Sequence, residues 1–153
     1  MWKMPPSIDT TTISAEIALS PILKDPYGML YTKFINSVLG ITSINTSLSS
    51  YRDYSMATLQ ISNNYENNSY AIMQEALAFL ENNIVNITQN EFDVAKQNFI
   101  NNTKNIFSNP MNLGMIASES EVQGDWKLFF KKIEDEKNAT LEEAKKTLTL
   151  YLA

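Results

Sequence analysis

The sequence predicts an α+β fold, an antiparallel sheet with helices packed on one face. Three observations predict it. Residues 10–20 and 54–62 alternate apolar and polar side chains with the period of a half-buried strand. From residue 65 onward the apolar spacing changes to steps of three and four, the period of amphipathic helices. The strands therefore come early and the helices are gathered behind them, an order that argues α+β.

Residues 1–9, with Pro5-Pro6, read as an extended lead-in to a single domain over 10–153. In 10–20, Ile13, Ala15, Ile17 and Leu19 fall on one side, and Ser14, Glu16, Ala18 and Ser20 on the other. This pattern predicts a strand, ended by Pro21. Asp25-Pro26 then opens a helix with a side-chain cap and a proline at the first helical position. Tyr27, Leu30, Tyr31, Phe34, Ile35, Val38 and Leu39 make its apolar face, and Gly40 supplies a left-handed stop. Residues 41–53, rich in Ser and Thr, are open between a loop and a short edge strand. In 54–62, Ala57, Leu59 and Ile61 share one face of a second strand.

The firmest local signal is in 65–107, two helical patterns hinged at Ile87-Thr88. Tyr70, Met73, Leu77, Leu80 and Ile84 set the stripe of the first, widened by Ile72, Ala76 and Phe79. Phe92, Ala95, Phe99 and Ile106 set that of the second. Between them Thr88-Gln89-Asn90-Glu91 has the spacing of a capping box, with Ile87 and Phe92 placed as a hydrophobic staple. Asn109-Pro110 starts another helix through Leu113, Ile116 and Val122 to a stop at Gly124, with Gly114 a local weakness inside it. Asp125 caps a short helix with Trp126, Phe129, Phe130 and Ile133 on one side. Thr140 and Glu143 repeat the capping-box spacing before a last helix facing inward through Leu141, Ala144, Leu148, Tyr151 and Leu152.

Composition narrows the chemistry. At 153 residues the chain can bury roughly two thirds of its unfolded surface in one core. The net charge is −5, and Lys131-Lys132 and Lys145-Lys146 are diluted by acids, so nucleic acid is not an expected partner. No segment approaches the ~20 apolar residues of a membrane span, and no secretion signal opens the chain, so a soluble protein is expected. There is no cysteine and no histidine. That removes disulfides, thiolate sites, the commonest transition-metal ligand and the usual proton shuttle near neutral pH. Acceptor triplets for glycosylation at Asn45, Asn67, Asn86, Asn101 and Asn138 are what an Asn-rich surface produces by chance.

The remaining candidates are carboxylates and aromatics. Glu119/Glu121, Glu134/Asp135/Glu136 and Glu142/Glu143 read as solvated helix faces, since a catalytic dyad needs acids converging from different elements. Ser118 and Ser120 have no base to activate them. Four glycines build no phosphate loop. Tyr51-Arg52-Asp53-Tyr54 reads as a turn before a strand, and Trp126, Phe129 and Phe130 as core.

The order of these elements resembles a half-domain of the insulinase/pitrilysin family of zinc peptidases. The resemblance rests on the helix from Asp25-Pro26 to Leu39-Gly40, the strand and long helix over 62–84, and Ile87-Thr88…Glu91…Ala95-Lys96…Phe99. Ile133, Thr140 and Tyr151-Leu152 complete it, so that residues 10–152 are covered. The resemblance implies two homologous α+β halves enclosing a peptide chamber, with zinc held by His-x-x-Glu-His and a distant Glu in the catalytic half. A histidine-free chain cannot carry that motif. The resemblance thus implies a non-catalytic repeat with no catalytic, cofactor or metal residue of its own, zinc being expected only in the catalytic half. Its expected partner is that half, in the same or another polypeptide, with peptide substrate met indirectly. Arg52 and Tyr54 lie only two apart in a segment shorter than the family's, so no substrate contact is assigned to them. A face left open by a missing companion would favour self-association. The alternative is a protein-interaction domain unrelated to proteolysis.

Overall fold

A computed structural model describes residues 1–6, 9–23, 28–35, 40–51, 53–64 and 69–152. The predicted cap at Asp25-Pro26, together with Tyr27, Val38, Leu39 and Arg52, lies outside the described residues. The elements are β1 (Trp2–Met4), α1 (Thr10–Leu23), α2 (Met29–Ile35), β2 (Ile41–Ser50), β3 (Ser55–Asn63), α3 (Ser69–Asn86), α4 (Gln89–Phe107), α5 (Pro110–Gln123), α6 (Leu128–Asn138) and α7 (Leu141–Leu152). The architecture is α+β, as predicted, and among the described residues three strands form an antiparallel sheet ordered β1-β3-β2.

The main correction concerns residues 10–20, which form a helix and not a strand. Alternation identifies a strand only when the whole polar side meets water, and here that side is divided, with Glu16 and Ser20 only partly covered. Ile13, Ala15 and Ile17 are buried, but so are Ser14 and Ala18. An element covered on most sides loses the polar face that would reveal its period. The start of α1 is chemically explicit: the Asp9 carboxylate accepts from the Thr11 N–H at 2.9 Å and from the Thr11 hydroxyl at 2.7 Å. Pro21 lies inside the helix, whose described part runs to Leu23. α1 is the hub of the helical layer and packs against α7, α4, α6, α2 and α3.

Within the lead-in, Trp2–Met4 pairs with β3 in the register Trp2↔Ala57, Lys3↔Met56, Met4↔Ser55. Residues 41–50 resolve into β2, an edge strand ten residues long, with an irregularity between Ile41 and Ser43. Gly40 (φ 65°) takes the left-handed conformation that its lack of a Cβ permits. Ile44↔Ile61 and Thr46↔Leu59 face the helices, while Asn45↔Gln60 and Ser47↔Thr58 face away. One sheet face thus closes the core.

The capping box forms in full. The Glu91 N–H donates to Thr88 Oγ1 at 3.3 Å, and the Thr88 N–H and hydroxyl donate to Glu91 Oε2 at 2.9 and 2.7 Å. Ile87 and Phe92 are both buried, as a staple requires. The inner face of α3 is Ile72, Ala76, Leu80 and Ile84, each four residues apart, whereas Tyr70 is 79% exposed and Met73 also faces solvent. On α4 the buried positions are Phe92, Ala95, Ile100 and Thr103. Asn109 Oδ1 accepts from the Met111 N–H at 3.0 Å, and α5 ends at Gly124 (φ 133°). No described helix is long and apolar enough to cross a membrane.

Candidate functional site

The acids predicted to lie on a solvated face divide, and this is the second correction. Glu134 is exposed, but Asp135 is 8% exposed and Glu136 is completely buried. Both are carried inward because α6 turns them toward α1 and α4. Glu136 lies on the stripe started by Phe129 and Ile133, at steps of four and three, so its burial follows from helical phase. Thr103, three residues beyond buried Ile100 on α4, donates its hydroxyl to Glu136 Oε1 at 2.9 Å. Glu136 Oε2 has no partner among the described residues.

A cavity of about 250 Å³ lies beside this pair, between α1, α4, α5 and α6. Glu16, Glu119 and Asp135 bring carboxylates to it from three helices, and Lys131 and Lys132 bring ammonium groups. Burial pushes the Glu136 carboxyl above the ordinary carboxylate range. The Thr103 hydrogen bond and Lys132 oppose that shift, and Glu16 adds to it. Burial also raises Asp135, against the pull of Lys131. Glu16 lines a second, mainly apolar cavity of about 300 Å³ as well, among Trp2, Leu19, Leu23, Leu80 and Phe99. One glutamate of the hub helix is therefore shared by both spaces. Its place is hidden in the sequence, because a strand over 10–20 would turn it to solvent.

The other candidates have structural roles. Ser118 donates to the Gly114 carbonyl at 2.9 Å, and Glu121 accepts from the Trp126 N–H at 3.0 Å. Glu143 accepts from the Ser14 hydroxyl at 3.3 Å, joining α7 to α1. Tyr51 and Tyr54 stack at 4.8 Å across the β2–β3 turn, with the Lys3 ammonium 5.0 Å from the Tyr54 ring. Phe129 is buried as expected, but Trp126 and Phe130 are nearly half exposed and pack edge to face at 5.7 Å. Among the described residues no three metal-ligating side chains stand together. The donors around Glu16 are thus a poor fit for zinc, which takes three protein ligands in its catalytic sites.

No protein-family model matches the sequence, and no curated protein does. Solved structures do. The inactive peptidase domain of a protein assigned as a zinc protease in Bordetella parapertussis superposes with a TM-score of 0.85 at 19% identity, over 99% of this chain and 81% of that one. A protein assigned as a zinc protease from Bordetella pertussis gives 0.83 at 18% identity, over 99% and 84%. The fold is that of the insulinase-like zinc peptidases. A protein assigned as an M16-like peptidase from Alicyclobacillus acidocaldarius superposes with a TM-score of 0.61 at 20% identity; it is longer, and this chain covers 37% of it.

On α1 the Glu16 carboxylate stands at the cavity wall, while Ile13 and Ile17 beside it are 3% and 0% exposed and add to the core.

Proposed function

We propose that this chain is a catalytically silent domain of an insulinase-like zinc protease, which forms a wall of the peptide chamber and pairs with a catalytic half. The observation that carries the reading is the match to an inactive peptidase domain by a chain without a single histidine. Zinc and the attacking water then belong to the partner half, and this domain contributes shape and a docking face. Peptide substrate meets it only as a chamber wall.

Co-expression with a histidine-bearing half from the same polypeptide or operon tests the proposal. A one-to-one complex that cleaves unfolded peptide faster than the catalytic half alone is the expected result. Absence of a complex, or equal rates with and without this chain, overturns it. The second reading, an interaction module unrelated to proteolysis, is favoured by the outer side of α5 and the turn after it. Met111, Met115, Val122 and Trp126 are exposed there without covering one another. Stable association with a partner lacking any peptidase domain would select that reading.

A further inference from the structure

We propose that Glu136 is a proton-operated latch: with its carboxyl protonated it holds α6 on α1 and α4, and its ionisation loosens that docking and opens the Glu16 cavity. The inference concerns the domain's own conformational equilibrium and stands apart from the functional reading above.

The geometry argues for it. A fully buried carboxylate needs several donors to replace water, and among the described residues Glu136 has one, the Thr103 hydroxyl at 2.9 Å. Oε2, sealed from solvent and without a partner among the described residues, is where a proton removes the cost of burying charge. Of the charges around the group, Lys132 favours the anion and Glu16, the smaller influence, opposes it, so burial is what favours the proton. From α1 it faces Glu16, a like charge. From α4 its neighbour is the uncharged Thr103. At the adjoining cavity α5 brings Glu119, and α6 itself brings Asp135 with Lys131 and Lys132. Two ammonium groups thus stand among three carboxylates besides Glu136, and Lys132 is the one that acts on it. Burial and Glu16 raise the carboxyl's proton affinity in the folded state, consistent with this placement.

The sign follows from linkage. The folded state binds the proton more tightly than the unfolded chain, whose carboxyl titrates near 4.5. The latch is therefore fully closed below that pH. It weakens as pH rises through the window up to the folded value, and no further above it. Because α6 carries both Glu136 and the cavity-lining Asp135, its release would expose the cavity.

Hydrogen exchange on the complete 153-residue chain at pH 5 and pH 8, corrected for intrinsic rates, tests the proposal. The opening constant of α6 amides in the wild type should rise by up to about tenfold per pH unit within the window. Glu136→Gln, which mimics the protonated form, should keep α6 closed at both values. Equal α6 protection at the two pH values, or a Gln variant that follows the wild type, overturns the latch. Should that variant fail to fold, carbon-detected titration of the wild-type Glu136 carboxyl decides. A midpoint above the ordinary carboxylate range upholds the proposal, and one within or below it overturns it.

Discussion

The Lys96 ammonium donates to the main-chain carbonyl of Ala139 at 2.8 Å, so α4 holds the carbonyl that follows the last residue of α6. Lys145 does the same for α3, reaching the Val85 carbonyl at 2.8 Å. Both lysines bind helix C-terminal ends, where orphan carbonyls and the helix dipole favour a cation. Ala139 is buried, so its carbonyl has little access to a replacement water. Lys96→Met should therefore destabilise the domain by about 1–2 kcal/mol. A urea midpoint equal to wild type would remove this bond from the account.

Gly114 lies inside α5, and a Cβ built on it meets nothing within 4 Å. Gly114→Ala should then raise stability by up to about 1 kcal/mol through backbone entropy alone. Thermal unfolding measures it, and a lowered midpoint would mean that α5 is packed differently.

On α3 the inner face is set by Ile72, and Tyr70 points outward. Ile72→Ala should cost about 2–5 kcal/mol, and Tyr70→Ala should stay within about 0.5 kcal/mol of wild type. The reverse order of effects would place α3 in another rotation.

Those two residues show where the sequence was informative. Caps are local chemistry, so Thr88-Glu91, Asn109-Pro110 and Gly124 could be read directly, and each stands where the sequence put it. Rotation of a helix about its axis is not local. The stripe through Tyr70 and the stripe through Ile72 are both apolar in sequence, and the neighbours decide which is buried. α1 failed for a related reason: Ser14 and Ala18 are as deeply buried as Ile17, so alternation in the sequence corresponds to nothing in exposure. The signal that could have identified α1 was Asp9-Thr10-Thr11, an N-cap before a helix. Glu136 was legible in the same sense, from its phase with Phe129 and Ile133, but counting acids by adjacency concealed it.

The capping box carries a pH dependence opposite to that of the latch. The Thr88 hydroxyl and N–H hold the Glu91 carboxyl below its usual value, so its ionised form contributes stability above the unfolded value of 4.5. That contribution is lost as pH falls through the lowered folded value. Thr88→Ala should cost about 1 kcal/mol at pH 7. The difference from wild type should shrink in acid, because the protonated carboxyl no longer needs the hydroxyl. A difference that stays constant from pH 7 to pH 2.5 would deny the reciprocal bond.

On the function proposed above, this domain serves an insulinase-like protease without doing its chemistry. The most direct measurement is the zinc content of the purified chain after zinc loading and dialysis, read together with cleavage of an unfolded peptide with and without chelator. A silent domain should hold no stoichiometric zinc and show no chelator-sensitive cleavage. One tightly held zinc per chain, or cleavage that chelator abolishes, would contradict it.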